Sequence, residues 1–277
     1  MEKESLEQLS ALAHPRRLAV FRLLMRRYPD AVPAGEIAEA LSLPASSLST
    51  ALAQLRGAGL ITQERLGTSL RYGADTEGAG ALITYLAGEC CRGRPEFCAS
   101  LLPEVGESEV GGGNRNVLFL CSGNSCRSIM AECLLRERAG RRFSVYSAGT
   151  MPRGEVDPHA LRLLREKGHD VSGLSSKSPD FLRSPEAPRI DLAFTLCDHA
   201  ANEDCPTWPG QPVTSHWGLP DPAAAEGSEE EISAAYQAVY DELALRIDQL
   251  ASLPLESLGR DALQARVDEI ALEARSA

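Results

Sequence analysis

The chain has 277 residues, 43% of them apolar, and a formal net charge of -11. That is enough for two ordinary globular domains, and no apolar run approaches the ~18 residues that a bilayer-spanning helix needs. Met1-Glu-Lys-Glu leads into amphipathic sequence rather than a secretory signal, so a cytoplasmic location without membrane contact is expected. In that compartment eight cysteines point to catalysis, redox chemistry or metal binding more readily than to structural disulfides. The charge is uneven: residues 1–98 balance 11 Lys and Arg against 11 Asp and Glu, so the acidic excess lies downstream. Nonspecific nucleic-acid binding is disfavoured there and left open upstream.

Helical patterns cover Glu4 to His14, Arg16 to Met25, Ala34 to Leu41 and, after a break at Ser42-Leu43-Pro44, Ala45 to Ala58. The last two, short and separated by a tight turn, predict a helix-turn-helix. Leu48, Ala51, Leu52 and Leu55 recur at i, i+3, i+4 and i+7 as a core stripe. Ser46, Ser47, Ser49, Thr50 and Gln54 are left on the outer face, small polar groups that suit a DNA groove. Ile61 to Tyr72 alternates on both sides of Gly67 as a hairpin or wing does, and Arg65 within it completes the candidate DNA-binding set. A winged helix used only for protein contacts is the alternative, because Glu64 in the wing is unfavourable beside phosphates.

His14-Pro15-Arg16, the Leu43-Pro44-Ala45-Ser46 turn and the Ala58-Gly59-Leu60 helix end make residues 5–98 resemble the arsenic-responsive ArsR/SmtB repressors. The resemblance implies a homodimer, formed through this domain, that binds operator DNA when its metal or metalloid ligand is absent. Cys90, Cys91 and Cys98 close the segment. Three sulfurs within nine residues match trigonal As(III), whereas zinc usually takes four ligands and no histidine is near. Another soft metal, or no ligand, are the other readings. The expected partition is a winged helix-turn-helix, mainly α, over 1–98 and a connector over 99–115 with Pro103, Gly106 and Gly111-Gly112-Gly113.

Downstream, the pattern predicts a strand Asn116 to Leu120, a loop, and a helix to about Arg138. A strand Phe143 to Ser147, a helix Pro158 to Lys167 and a strand Ile190 to Leu196 follow, then a cysteine loop, a strand near Pro212 to His216 and a helix Glu230 to Leu250. Alternation of this kind implies an α/β domain, 116–252, with a four-stranded parallel sheet, followed by a helical tail over 253–277. The loop Cys121-Ser-Gly-Asn-Ser-Cys126-Arg127-Ser128 joins the first strand to its helix, where such folds hold ligands. The backbone of Ser122, Gly123, Asn124, Ser125 and Cys126 offers N–H donors to a tetrahedral oxyanion. Arg127 adds a planar cation, and Cys121 a thiol that the positive field favours as thiolate.

From Val117-Leu-Phe-Leu-Cys121 through Ser147-Ala-Gly149 to Asp221-Pro222, residues 116–250 resemble arsenate reductases built on the low-molecular-weight tyrosine phosphatase fold. The Cys-x5-Arg-Ser signature followed by Asp-Pro carries the likeness. Cys197 and Cys205, eight positions apart in a polar loop, add the thiols that a two-electron relay needs and a phosphatase does not. Ala223 stands where the phosphatases carry an aromatic. The resemblance implies Cys121, Arg127, Ser128, Cys197, Cys205 and Asp221 as catalytic residues, arsenate as substrate, no tightly bound cofactor, and an external thiol reductant such as thioredoxin. A phosphatase fused to a regulator and a non-catalytic oxyanion sensor are the alternatives.

Overall fold

A computed structural model describes residues 2–90, 114–184, 187–203 and 212–273. The chain divides into two compact units, Met1–Gly111 and Gly112–Ala277, each with its own core.

The first unit runs α1 (Glu2–Leu12), α2 (Pro15–Arg27), β1 (Val32–Pro33), α3 (Ala34–Ala40), α4 (Ala45–Gly57), β2 (Ile61–Leu66), β3 (Ser69–Ala74) and α5 (Thr76–Tyr85). His14 caps α2: its ring Nδ1 accepts from the Arg16 N–H at 3.2 Å, and Pro15, which has no N–H to leave unpaired, opens the helix. The stripe Leu48, Ala51, Leu52 and Leu55 is buried, as its spacing predicts, in one core with Val20, Leu23, Leu24 and Ile37. Strands β2 and β3 pair antiparallel around Gly67 and form the wing, with β1 on the other edge of β3. Helix α5 is not in the sequence reading. Asp75 caps it by accepting from the Gly78 N–H at 2.9 Å, while Gly78 and Gly80 weaken the helical signal.

The second unit runs β4 (Arg115–Cys121), α6 (Arg127–Ala139), β5 (Phe143–Gly149), α7 (Pro158–Glu166), β6 (Leu192–Thr195), α8 (Asp198–Asn202), β7 (Val213–His216), α9 (Glu229–Ser252) and α10 (Arg260–Glu273). The strands form a four-stranded parallel sheet in the order β5-β4-β6-β7. The middle strands carry the continuous apolar runs that a sheet covered on both faces requires. Ser228 and Glu231 close a capping box at the start of α9. The tail is no separate layer: Leu263, Val267 and Ile270 of α10 join the main core. Gln264 reaches the backbone of edge strand β7, accepting from the Thr214 N–H at 3.2 Å and donating to its carbonyl at 2.7 Å. The cysteine segment expected as a loop begins instead with α8, whose Ala200 and Ala201 are buried. Among the described residues, no helix is long and apolar enough to cross a membrane.

Candidate active site

Sheet order places the two described cysteines of interest together. Strands β4 and β6 are neighbours in parallel register, Leu120 opposite Thr195, so Cys121 and Cys197 leave adjacent carboxyl ends where the strand order reverses. Both line one cavity of about 510 Å³, with Ser125, Arg127, Leu219 and Asp221 also in its wall. Cys197 is buried, and its Sγ lies 3.3 Å from Ser122 Oγ.

The loop after β4 is shaped by close backbone contacts. Asn124 adopts a left-handed backbone, φ 42°, which asparagine tolerates better than most residues. A Cβ at Gly149 would sit 2.6 Å from the Ser122 carbonyl oxygen and 2.7 Å from the Asn124 nitrogen, so only glycine lets β5 press against the loop. The Asn124 N–H points at Cys121 Sγ from 3.2 Å. Ser128, fully buried on the first turn of α6, places its Oγ 2.9 Å from the same sulfur.

Behind the loop lies a polar network that joins Asn124 and Ser128 to Glu132, Ser147 and Lys177, three residues absent from the candidate set. The Lys177 N–H donates to Asn124 Oδ1 at 2.7 Å, which orients the amide so that Nδ2 donates to Ser128 Oγ at 2.8 Å and Ser147 Oγ at 2.9 Å. Ser147 in turn donates to Glu132 Oε2 at 2.5 Å, and the Lys177 ammonium lies 3.3 Å from that oxygen. Each of the side chains in this network thus has a partner, as burial demands.

Arg127 is held rather than free: its guanidinium donates to the Leu219 carbonyl at 3.0 Å and lies 3.3 Å from an Asp221 carboxylate oxygen. The other oxygen of Asp221 accepts from the Ala223 N–H at 3.3 Å. Burial pushes the Cys126 thiol well above its ordinary range, and Asp157 adds to the effect. Burial likewise pushes Cys133 up to about 11. Both are buried packing residues in the structure, consistent with a neutral thiol. His199, next to Cys197, is exposed and 3.0 Å from Glu203.

The structure does not describe Cys205, Cys91 or Cys98, so the downstream member of the proposed relay and two of the three clustered sulfurs lie outside the described residues. Cys90 is exposed at the end of a π-helical turn, Leu86–Cys90, where its hydrogen bond raises the Tyr85 phenol above its usual range. On α4, Ser46, Ser49 and Thr50 are exposed. Ser47 is half-buried and accepts from Arg16 at 3.3 Å, while Gln54 accepts from Arg17 at 2.8 Å, so α2 arginines occupy two of the five outer groups. Arg65 is exposed on β2.

A cysteine, a buried arginine and inward N–H groups at the mouth of a parallel sheet define a phosphatase-like oxyanion domain, here following a helix-turn-helix unit. The chain belongs to the low molecular weight phosphotyrosine protein phosphatase family, whose profile matches residues 116–264. Residues 12–64 match a helix-turn-helix domain. The second unit is similar to the arsenate reductase of Bacillus licheniformis, 43% identical over 139 residues that span 50% of this chain and 95% of that relative. It is also similar to the arsenate reductase of Bacillus subtilis, 41% identical over 138 residues, 50% of this chain and 96% of the relative. A crystal structure of arsenate reductase from Archaeoglobus fulgidus aligns with a TM-score of 0.41 at 28% identity, covering 50% of this chain and 99% of that one.

Proposed function

We propose that this protein is a bifunctional arsenic-resistance factor: a thiol-dependent arsenate reductase joined to an arsenite-responsive repressor. The observation that carries the reading is the shared cavity of Cys121 and Cys197, a second buried thiol where a phosphatase needs one. The backbone of Ser122, Gly123, Asn124, Ser125 and Cys126 and the Arg127 fork hold arsenate. Cys121, as thiolate, attacks arsenic and forms an S–As bond while Asp221 protonates the departing oxygen; Ser128 donates to the sulfur. Cys197 then attacks Cys121 Sγ, the S–S bond forms, the S–As bond breaks, and its electron pair stays on arsenic, which leaves as arsenite. Cys205 attacks Cys197 Sγ and frees Cys121, and an external dithiol of the thioredoxin kind reduces the Cys197–Cys205 disulfide.

The partition that goes with this reading is 1–98 for the repressor, 99–115 for the connector, 116–252 for the reductase and 253–277 for the tail, in a cytoplasmic protein. Ser46, Ser47, Ser49, Thr50, Gln54 and Arg65 face operator DNA, with Ser47 and Gln54 acting through Arg16 and Arg17. Leu6 and Leu9 on α1 and Ile83 on α5, all exposed apolar groups on helices that pack together, support a homodimer through this unit. Cys90, with Cys91 and Cys98, takes the arsenite that the reductase makes and so releases the DNA. Arsenate-dependent NADPH consumption with thioredoxin and its reductase, set beside hydrolysis of an aryl phosphate, tests the enzymatic half. Consumption without hydrolysis is expected, and hydrolysis without consumption makes the domain a phosphatase.

A further inference from the structure

His216, the last residue of β7, is 1% exposed and uses both ring nitrogens. Its Nδ1 lies 2.8 Å from Thr195 Oγ1 and its Nε2 3.1 Å from Asp198 Oδ1. Those partners bracket Leu196-Cys197: Thr195 ends β6 and Asp198 begins α8, with Cys197 as the cap residue between them. One imidazole therefore clamps the chain on both sides of the second thiol. The strand that supplies it continues directly into the segment that meets the first site, since the Leu219 carbonyl accepts from Arg127. The clamp also needs Gly218: a Cβ there would lie 2.7 Å from His216 Nε2 and 3.1 Å from Asp198 Oδ1, so a side chain would force the ring and the carboxylate apart.

We propose that His216 is a positioning residue for Cys197, holding the start of α8 through Asp198 so that the Cys197 sulfur faces Ser122 and the cavity. The inference rests on the thiol relay for its consequence, though not for its geometry. A buried imidazole needs partners for both nitrogens, and any core hydroxyl could serve. Here both partners flank the one cysteine that must meet Cys121 within bonding reach, and a displacement near 1 Å slows such an encounter steeply.

The test compares full-length D198A and D198N with the wild type. Asparagine keeps an oxygen that accepts from Nε2–H, and alanine does not. Two rates are read: Cys121–Cys197 disulfide formation after one equivalent of arsenate, followed by non-reducing peptide mass mapping, and iodoacetamide labelling of Cys197 without arsenate. D198A is expected to slow the disulfide by about tenfold or more and to speed Cys197 labelling by a similar factor, while Cys121 labelling stays within about twofold. D198N is expected to keep both rates within about threefold of wild type. H216F, which removes the clamp from the ring side, should follow D198A. Wild-type rates in D198A, or D198N as impaired as D198A, overturn the proposal. A wild type that never forms the disulfide removes the relay, and the labelling arm still decides whether His216 positions Cys197.

Discussion

Ser128 Oγ lies 2.9 Å from Cys121 Sγ, and because it accepts from Asn124 Nδ2 at 2.8 Å, its own proton is left for the sulfur. The donor is thus aimed by a chain that starts at the Lys177 backbone and passes through the Asn124 amide. Replacing Ser128 with alanine removes one hydrogen bond to an anionic sulfur, a contribution of about 1.5–3 kcal/mol. S128A should therefore label at Cys121 with iodoacetamide at least about tenfold more slowly at neutral pH. An unchanged rate would show that the hydroxyl does not act on the nucleophile.

Cys126 and Cys133 differ from Cys121 in a way that mass mapping resolves. Burial raises both thiols, Cys133 to about 11, so each stays protonated at pH 7.5. In the folded protein neither should label at that pH; Cys126 should label on denaturation, and Cys133 on denaturation or as the pH approaches about 11. Rapid labelling of Cys126 at pH 7.5 contradicts its assignment as a packing residue.

Much of this was legible in the sequence. The Leu48-Ala51-Leu52-Leu55 stripe, the four parallel strands and the placement of Cys121 and Arg127 follow from periodicity and from one loop between a strand and a helix. What stayed hidden has physical reasons. Glu132 sits mid-helix with the look of a solvent-facing residue, and Lys177 lies in irregular chain, so only the folded backbone brings them to Ser147 and Asn124. Helix α8 has five residues, too few to show a period, and His216 has no neighbour in sequence that announces its partners.

Asp268 on α10 gives the fold a pH dependence. Burial pushes its carboxyl up to about 6 although Gln264 donates to it at 3.0 Å. The unfolded carboxyl titrates near about 3.9, so between these values the folded state holds the extra proton. This contribution is fully present below about pH 4, declines as the pH rises through about 6 and is level above, a difference of at most about 3 kcal/mol that solvent screening of the half-buried carboxyl reduces. D268N, uncharged throughout, should melt higher than wild type at pH 7.5 and alike at pH 4 in thermal denaturation. A lower melting temperature at both values contradicts the burial argument.

Arg65 is exposed on the wing strand β2, opposite Leu70 of β3. If it meets a phosphate, R65A should weaken binding to the protein's own upstream DNA about equally for all sequences and reduce the salt slope by about 1 in a fluorescence titration. An unchanged slope would place the wing away from the backbone of the duplex.

The relay itself is tested most directly in C205S. After one equivalent of arsenate under non-reducing conditions, peptide mass mapping should find a Cys121–Cys197 disulfide and one arsenite released per chain, with no second turnover when thioredoxin and its reductase are supplied. Sustained turnover at the wild-type rate, or arsenite release with Cys197 still a free thiol, would contradict the account.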